Sequence, residues 1–492
     1  MLLSELFDGI KYTLIGEDKE IIKLEHNSKD ITKGSLFFCI RGTRYSGTSF
    51  LYEAIENGCE AICIDFKEYE NLASIKFDKE LSIVVVDDVR DVIGYVCYNY
   101  YGASRFDFKL IGITGTNGKT TISFMLAHVL QKAGYTVGVI GTSGIFINND
   151  MIRGEGLTTP DPIDLYDILS FFYSVDVDYV IAEVSAHALD LKKLNGLVFE
   201  YGIFTNLTED HLDYFKTIER YAEAKSKFFN MVKVGIFNID DKFGKELYKD
   251  FQSKKFSVSK EKSDYVYRQT SNGCYIIINE KKLNIKYNLN GEYNACNATE
   301  SFAVLYDIIQ DKRKIRKAFA SLPKISGRYN EFQTKYHGKI ILDFAHTPDG
   351  LEKILTSARN QLKNGGRLIS VFGCGGNRDR DKRPIMGKIS GAIADYTIIS
   401  IDNPRFEDPE VVMGDVEHGI KMITNNYNII MPRENAIRYA LLSSNVNDII
   451  VVSGKGMEPY YETNGYKHLY REDIVIKTLI KRYDNKENRS GN

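Results

Sequence analysis

Short apolar runs alternate with helix-forming stretches along most of the chain. In residues 1–108 the runs GSLFFCI, EAICID and LSIVVVDD predict strands, and stretches such as TSFLYEAIENG between them predict helices. In residues 109–325 the runs KLIGITG, TVGVIGT, DYVIAEVS, EYGIFTN and KVGIFNID predict five buried strands. Apolar strands that alternate with helices are typical of a mostly parallel sheet covered on both faces.

The same pattern restarts in residues 326–492, where four apolar runs each lead directly into a polar motif: KIILDFAHTP, RLISVFGCGGNRD, YTIISIDNPR and DIIVVSGKGME. Ligands of open α/β sheets bind at the carboxyl ends of strands, so these motifs predict a binding site. We therefore predict an α/β protein of three domains. Residues 1–108 would form a small α/β N-terminal domain, 109–325 a central parallel-sheet domain like a P-loop ATPase, and 326–492 a Rossmann-like C-terminal domain.

Composition narrows the class of protein without identifying it. The 492 residues are 43% hydrophobic and 26% charged, which is ordinary for a globular protein of several domains. The net charge of -2 gives no electrostatic argument for nucleic acid or for an acidic membrane surface. The seven cysteines form no CxxC pair, so they predict reduced thiols. No signal peptide or long apolar segment is evident, which predicts a cytoplasmic protein without membrane insertion.

The stretch GITGTNGKTT has the layout of a phosphate-binding loop, because a strand precedes it and a helix-forming stretch follows. Gly115 and Gly118 would let the backbone N–H groups turn toward phosphate oxygens. Lys119 would supply charge for the phosphates, and the Thr120 hydroxyl would bind Mg²⁺. One glycine of the common spelling is missing, and the plain alternative is a glycine turn with an exposed lysine.

Two further strand ends carry candidate metal ligands. Glu183 ends the run DYVIAE, and a carboxylate there suits Mg²⁺, although an acid in that place caps a helix at least as often. Asp210, His211 and Asp213 follow the run EYGIFTN. A lone histidine is more often structural than functional, so His211 alone is weak evidence.

Ten motifs, taken in order, resemble those of the Mur ligase family. They are TGTNGKTT, EVSAHAL, TNLTEDHLDYF, YAEAKSKFF, NGEYNACNATESFAV, SGRYNEF, LDFAHTPDGLEKIL, VFGCGGNRDRDKRP, DNPRFEDP and GKGME. The likeness covers nearly the whole chain and is greatest to the tripeptide synthetases of that family, whose loop reads TGTNGKT. It implies an ATP-dependent acid–amino-acid ligase of peptidoglycan synthesis that adds a third amino acid to UDP-MurNAc-L-Ala-D-Glu through an acyl phosphate. It also implies small-molecule substrates and a monomer.

The resemblance assigns roles at matching positions. The implied catalytic residues are Lys119, Lys225, His211 and Arg328. Mg²⁺ would bind Thr120, Glu183, His211 and Lys225, the last as a carbamate. ATP would contact Gly115, Thr116, Asn117, Gly118, Lys119, Thr120, Thr121, Asn297, Arg328, Asp343 and His346. The UDP precursor would contact Ser28, Thr158, Thr159, Ser185 and Lys193. The incoming amino acid would contact Asp402, Asn403, Pro404, Arg405, Gly454 and Glu458.

Arg405 indicates which amino acid is added. Its guanidinium suits a bidentate grip on a carboxylate, which meso-2,6-diaminopimelate has at the far end of its side chain and lysine lacks. By resemblance, the DNPR motif accompanies diaminopimelate. The alternatives are addition of lysine and a nucleotide-binding regulator without activity. A folylpolyglutamate synthetase would share the loop but lack DNPR.

Residues at positions expected to bind the UDP precursor, the acceptor of the new amino acid, depart from the family pattern. The family has Asp-Ser-Arg where this chain has Asn27-Ser28-Lys29, and arginine where it has Lys193. Lysine keeps the charge but loses the planar fork. A paralogous ligase that joins an amino acid to a different carboxylate acceptor is therefore a further alternative.

Overall fold

The computed structural model describes residues 1–42, 45–72, 80–154, 156–325, 327–363 and 365–490. Packing divides the chain into two compact units. The first contains Met1–Thr114, Leu130–Ile203 and Ala224–Gly235, and the second contains Gly115–Val129, Phe204–Glu223 and Ile236–Asn492. The domain boundaries near residues 108 and 325 remain a prediction from the sequence.

The first unit contains a five-stranded sheet in the order β1–β5–β4–β3–β2. Its strands are β1 (Thr13–Ile15), β2 (Lys23–Glu25), β3 (Ser35–Phe38), β4 (Cys59–Asp65) and β5 (Ser82–Val86). The helices of this region are α1 (Leu3–Leu6), α2 (Leu51–Glu56), α3 (Phe66–Leu72) and α4 (Val89–Tyr100). Only β1 runs antiparallel to its neighbour among these strands. The three apolar runs predicted as strands form β3, β4 and β5, whose inward side chains build the core.

Seven strands that lie wholly or mostly in the first unit pair in the order β12–β11–β6–β10–β7–β8–β9. They are β6 (Lys109–Thr114), β7 (Val137–Gly141), β8 (Gly144–Ile147), β9 (Asp150–Arg153), β10 (Tyr179–Glu183), β11 (Phe199–Phe204) and β12 (Val232–Asn238). Strands β6, β10 and β7 are parallel and almost wholly buried. Gly112 in β6 is required by packing, because a Cβ there would lie 2.3 Å from the Phe228 ring.

The helices of residues 115–226 connect these strands. They are α5 (Lys119–Ala133), α6 (Pro162–Ser174), α7 (Ala186–Asp190), α8 (Leu212–Phe215) and α9 (Ile218–Ser226). Pro162 begins α6, where a missing backbone N–H costs no helical hydrogen bond. The Ser185 hydroxyl caps α7 by accepting from the Ala188 backbone N–H at 3.2 Å.

Within the second unit, four strands pair in the order β13–β14–β15–β16. They are β13 (Lys254–Ser259), β14 (Tyr265–Thr270), β15 (Gly273–Ile278) and β16 (Lys281–Lys286), and the last three form an antiparallel meander. The helices beside them are α10 (Lys242–Asp250), α11 (Glu292–Ile309) and α12 (Lys312–Ala320). Helix α11 is buried along most of its length, and its buried residues include five polar ones: Asn294, Asn297, Thr299, Glu300 and Ser301.

The second unit also holds a six-stranded sheet in the order β17–β18–β22–β19–β20–β21. The strands are β17 (Asn330–Phe332), β18 (Lys339–Asp343), β19 (Leu368–Phe372), β20 (Tyr396–Ile399), β21 (Tyr427–Ile429) and β22 (Ile449–Ser453). The helices are α13 (Pro348–Arg359), α14 (Lys382–Ile393), α15 (Pro409–Ile420), α16 (Arg433–Leu442) and α17 (Glu472–Ser490). Strands β23 (Tyr460–Thr463) and β24 (Tyr466–Leu469) form a separate hairpin.

The predicted α/β class is confirmed, and the four C-terminal apolar runs form β18, β19, β20 and β22. These strands are parallel, so their polar motifs emerge at the same edge of the sheet. Within the described ranges, no helix is both long and apolar enough to cross a bilayer.

Candidate active site

The loop after β6 is built around two glycines. Gly115 and Gly118 have φ of +143° and +97°, a conformation that side chains disfavour. A Cβ would also lie 1.9 Å from the Thr205 hydroxyl at Gly115 and 2.7 Å from the Asn297 amide oxygen at Gly118. Lys119 begins α5, and its ammonium donates to the Gly115 and Thr116 carbonyls at 2.8 and 2.9 Å. The loop thus has the turn and the lysine position that a phosphate-binding loop requires.

The segment after β11 holds this loop in shape. The Thr205 hydroxyl donates to the Asn117 carbonyl at 2.6 Å, and the Asn206 amide oxygen accepts from the Asn117 N–H at 3.0 Å. The Thr116 hydroxyl donates to the Thr208 carbonyl at 3.1 Å. Five of the predicted ATP residues, 115–119, therefore lie in one hydrogen-bonded turn.

Arg328, one of the residues predicted to bind ATP, contacts the start of α5, and Asp343, another of them, lies near Arg328. The Arg328 guanidinium donates to the Thr120 hydroxyl at 3.1 Å and lies over the Phe344 ring. The Asp343 carboxylate accepts the backbone N–H groups of Tyr329 and Ala345 at 2.8 and 2.9 Å. Burial raises the pKa of Asp343 even though Arg328 and these two N–H groups favour its charged form.

Four charged or titratable side chains cluster near the start of α8. The Asp210 carboxylate lies 3.4 Å from the His211 imidazole and 3.5 Å from the Lys382 ammonium. Burial raises the pKa of Asp210, but the charge of Lys382, helped by His211 and His346, brings it well below its ordinary value. Burial lowers the pKa of His346, and Lys382 lowers it further. The sequence interpretation missed Lys382, although it lies in the quoted motif RDRDKRP.

A polar cleft of about 1030 Å³ lies beside Asn297 in the second unit. Its lining includes Asn206, Asp240, Asp349 and Lys353 as well as Asn297. The Asp349 carboxylate accepts from the Asn117 amide and from Lys353, both at 2.8 Å. The cleft is large enough for a nucleotide, and one of its walls is tied directly to the phosphate-binding loop.

In the first unit, four hydroxyl side chains surround the end of β10, and we call this group the hydroxyl cluster: Thr142, Thr158, Thr159 and Ser185. The Thr142 hydroxyl contacts a Glu183 carboxylate oxygen and the Thr158 hydroxyl, both at 3.0 Å. The Thr159 hydroxyl donates to the Glu183 carbonyl at 2.9 Å and accepts the Ser185 N–H at 3.0 Å. The structure thus brings together three of the residues predicted to bind the UDP precursor and adds Thr142.

The other residues predicted for the precursor have separate partners. The Lys193 ammonium pairs with Asp161 at 2.8 Å, and Asp161 directly follows the Thr158–Pro160 segment. Ser28 is buried and its hydroxyl bonds to the Glu53 carboxylate. Lys225 lies on α9 with 1% of its surface exposed.

The six residues predicted for the amino acid lie around two strand ends, after β20 and β22. The Asn403 amide donates to the Glu458 carboxylate at 2.7 Å, and the same oxygen lies 2.7 Å from the Lys455 ammonium. Gly454 has φ +116°, and a Cβ there would lie 2.7 Å from the Asp402 carboxylate. Burial raises the pKa of Asp402, but Lys455 and Arg433 outweigh it and hold the pKa below its ordinary value.

Arg405 follows Pro404 in this loop and adopts a left-handed backbone with φ +53°. Its guanidinium donates to the Gly376 carbonyl at 2.8 Å and lies 3.4 Å from the Glu462 carboxylate. The Glu462 backbone N–H in turn donates to the Asn403 amide oxygen at 2.8 Å. Non-glycine residues in this conformation are uncommon and often lie at functional sites.

A buried arginine outside the predicted set anchors the same loop. Arg383 has no exposed surface, and its guanidinium binds both oxygens of Glu407 at 2.9 and 3.0 Å. It also donates to Asp415 at 2.9 Å and to the Gly375 carbonyl at 3.2 Å. Arg383, on α14, therefore connects α15 with the loops that follow β19 and β20. The sequence interpretation did not single it out.

Within the described residues, no group of three or more His, Cys, Asp or Glu side chains is placed to hold a metal ion. Two of the residues predicted to bind Mg²⁺ are of other types, since Thr120 offers a hydroxyl and Lys225 would need modification. The assignment of Thr120, Glu183, His211 and Lys225 to Mg²⁺ remains a prediction.

Known proteins resemble the chain from end to end. Residues 113–305 match the Mur ligase middle domain, and residues 327–456 match the Mur ligase, glutamate ligase domain. A UDP-N-acetylmuramoyl-L-alanyl-D-glutamate--2,6-diaminopimelate ligase of Clostridium botulinum is 39% identical, over 98% of this chain and 100% of its own length. The chain belongs to the Mur ligase family. A Parabacteroides distasonis ligase of the same name is 35% identical over 95% of this chain and 96% of its own.

Solved structures agree with this membership of the Mur ligase family. A structure of a UDP-N-acetylmuramoyl-L-alanyl-D-glutamate--2,6-diaminopimelate ligase has a TM-score of 0.67 and 26% identity, covering 98% of this chain and 99% of that one. The MurF ligase of Thermotoga maritima, solved in complex with ADP, has a TM-score of 0.60 at 16% identity, covering 96% and 100%. The second likeness concerns the fold alone.

Proposed function

We propose that the chain is an ATP-dependent ligase that adds meso-2,6-diaminopimelate to UDP-MurNAc-L-Ala-D-Glu in peptidoglycan precursor synthesis. The observation that carries the proposal is that relatives bearing this ligase name match the chain over nearly its full length. We also propose that the reaction takes place in the cytoplasm and that the protein acts as a monomer.

In this proposal the phosphate-binding loop holds ATP. The backbone of residues 115–118 would bind the phosphates, and Lys119 and Arg328 would stabilise negative charge on the phosphoryl group as it moves to the acceptor carboxylate. The cleft beside Asn297 would take the nucleoside, with Asp343 and His346 supporting the nearby residues. The contact between Arg328 and Thr120 supports this assignment, because it places the guanidinium at the helix start where phosphates bind.

Mg²⁺ is the ion that this family uses with ATP, and the oxygen donors here suit it. Thr120, Glu183, His211 and Lys225 are the residues proposed to hold it. When bound, the ion would neutralise charge on the phosphate oxygens. The Glu183 carboxylate fits this role because the contact described for it is with a neutral hydroxyl, which leaves its negative charge available to a cation.

We propose that Lys225 carries a carbamate. Its burial supports this, since a carbamate oxygen could face a bound cation where an ammonium would repel it. The test is ¹³C NMR spectroscopy of the folded protein in ¹³C-labelled bicarbonate, because a carbamate loses carbon dioxide once the chain is denatured or acidified. The expected result is a carbamate carbonyl signal that is absent from Lys225→Gln, and a wild-type spectrum without that signal would contradict the proposal.

We propose that the incoming amino acid binds in the pocket around Asn403, which combines a guanidinium with two carboxylates. Arg405 would bind the distal carboxylate of diaminopimelate, to which the Asn403 amide nitrogen would also donate. Asp402 and Glu458 would bind the neighbouring ammonium. The substrate's other amino group would then attack the acyl carbon, lose a proton and expel inorganic phosphate, which leaves the amide. Exclusion of water would protect the acyl phosphate from hydrolysis.

The experiment is an ATP-dependent ligation assay that crosses two acceptors with two amines. UDP-MurNAc-L-Ala-D-Glu and UDP-MurNAc-L-Ala are each offered with diaminopimelate and with lysine, and both phosphate release and the ligated product are measured. The expected result is a tripeptide product only with the longer acceptor and mainly with diaminopimelate. Better use of lysine would overturn the proposed amine. No product from that acceptor with either amine would favour the paralogous ligase with a different acceptor.

A further inference from the structure

The amino-acid pocket contains a buried lysine that belongs to none of the predicted sets. Lys455 has 1% of its surface exposed and follows β22 directly after Gly454. Its ammonium lies 2.7 Å from a Glu458 carboxylate oxygen, 2.9 Å from the Asn403 amide oxygen and 3.5 Å from an Asp402 carboxylate oxygen. Its three contacts are thus polar side chains that we propose to bind the distal end of the amino-acid substrate.

We propose that Lys455 is a positioning residue for the amino-acid substrate, fixing the Asn403 amide and the Glu458 carboxylate in the orientation that binds it. The inference rests on the proposed function, because it takes this pocket to be the one that receives the amino acid.

The Asn403 amide shows how the positioning works. Its oxygen accepts from the Lys455 ammonium at 2.9 Å and from the Glu462 backbone N–H at 2.8 Å. Both neighbours are donors, so the oxygen must face them and the amide nitrogen must face Glu458. Without the ammonium, one of the two donors that set this orientation is lost.

The charges in the pocket give a second reason to assign a positioning role to Lys455. Asp402 and Glu458 bring two carboxylates into a buried pocket, and Lys455 contacts both. The other nearby arginines have their own carboxylates, since Arg433 pairs with Glu472 and Arg405 with Glu462. Removing the lysine would leave the two carboxylates without their shared cation in a site of low dielectric, where they would move apart or take up protons.

Steady-state kinetics on the full chain test the proposal with Lys455→Gln, which keeps a polar side chain of moderate length. We expect the KM for diaminopimelate to rise about tenfold or more, because a hydrogen bond to a charged group is lost at the binding residues. The KM values for ATP and for the UDP precursor, and kcat, should stay within about threefold of wild type. Lys421→Gln is the matched control, since Lys421 is exposed at the C-terminal end of α15 and pairs with Glu417 one helical turn earlier.

A double-mutant cycle separates positioning from general stability. Glu458→Gln and Lys455→Gln each raise the KM for diaminopimelate, and the double variant should raise it much less than the product of the two single effects. Independent, multiplicative effects would overturn the proposal. A Lys455→Gln variant that changes all three KM values and kcat alike would also overturn it, because the lysine would then be merely structural.

If Lys455→Gln unfolds, as judged by circular dichroism, Lys455→Arg replaces it. Arginine keeps the charge but its planar fork cannot match the three acceptors, so the same selective rise in KM is expected, and an unchanged KM would overturn the proposal. The proposed function fails separately, since wild type would then not use diaminopimelate at all. In that case the same variants are measured with the amine that the wild-type enzyme does use.

Discussion

Two buried carboxylates, one in each unit, sit at equivalent places but are held in different ways. Glu183 ends β10 and Asp402 closely follows β20, so both lie at the carboxyl ends of parallel strands. A neutral Thr142 hydroxyl contacts Glu183 at 3.0 Å, whereas the Lys455 ammonium lies 3.5 Å from Asp402 and helps to lower its pKa. A neutral hydroxyl does not compensate a carboxylate's charge, whereas the buried ammonium of Lys455 compensates that of Asp402.

The largest expected effect tests whether the stability of the second unit depends on pairing its carboxylates with a buried cation. Arg383→Met would leave Glu407 and Asp415 without their buried partner, and we expect the free energy of unfolding to fall by about 3–5 kcal/mol. Urea unfolding measures it. Arg380→Met is the control, because Arg380 also pairs with Asp415 but is mostly exposed, and it should cost about 1 kcal/mol or less. Equal losses would contradict the role of burial.

The next effect tests the uncompensated carboxylate. Glu183→Gln keeps the shape of the side chain but removes the charge proposed to face Mg²⁺, so kcat should fall by about 10²–10³-fold. Phosphate release at saturating substrates measures it, with the Mg²⁺ concentration varied. Glu200→Gln serves as the control, since Glu200 pairs with Lys233 near the surface. A loss below about threefold would mean that Glu183 is not a ligand.

A third buried carboxyl group, that of Glu300 on α11, differs from both, because burial outweighs every other effect on its pKa. Burial raises the pKa of Glu300 on α11 to about 8, and the Cys296 thiol opposes this only in part. The folded state then keeps a proton that the unfolded chain releases. Stability should therefore fall as pH rises from about 5 to about 8, by on the order of 3 kcal/mol.

Glu300→Gln should remove that fall in stability. Urea unfolding at several pH values compares it with wild type and with Glu292→Gln, which changes an exposed carboxylate on the same helix. Glu292→Gln should retain the wild-type slope. A Glu300→Gln variant whose stability changes with pH as the wild type's does would show that Glu300 titrates normally.

The smallest expected effect concerns Arg405, which we propose to bind the distal carboxylate of diaminopimelate. Arg405→Lys keeps the charge but loses the planar fork, so the KM for diaminopimelate should rise by about 30-fold, equivalent to about 2 kcal/mol. The KM for ATP should be unchanged. Lysine used as substrate should be affected much less, since it has no distal carboxylate. An equal loss with both amines would indicate that Arg405 only supports the loop.

Local pattern was enough for much of the fold. The continuous apolar runs became buried parallel strands, because such strands need apolar residues on both faces. The strands β13–β16 were not predicted, since runs such as YVYRQT and KKLNIK mix polar and apolar residues. Their strand form depends on pairing with neighbours rather than on a strong pattern of their own.

The sequence predicted only part of the candidate site, again because it shows only features whose residues lie close together in the chain. The phosphate-binding loop and the residues 402–405 lie in short contiguous motifs, so the sequence displays them together. Four residues were missed, although all of them lie within the predicted strands and motifs: Thr142, Lys382, Arg383 and Lys455. Their roles follow from partners far along the chain, such as Asp415 for Arg383 and Asn403 for Lys455.

The sequence by itself determined the α/β class, the glycine turn before Lys119 and the order of motifs that marks the Mur ligase family. These features depend on residues close together in the chain, where conformational preference and spacing are readable. Only the tertiary structure decided which carboxylate is held by a hydroxyl and which by a buried cation. That choice depends on desolvation and on contacts between distant segments, which exist only once the chain has folded.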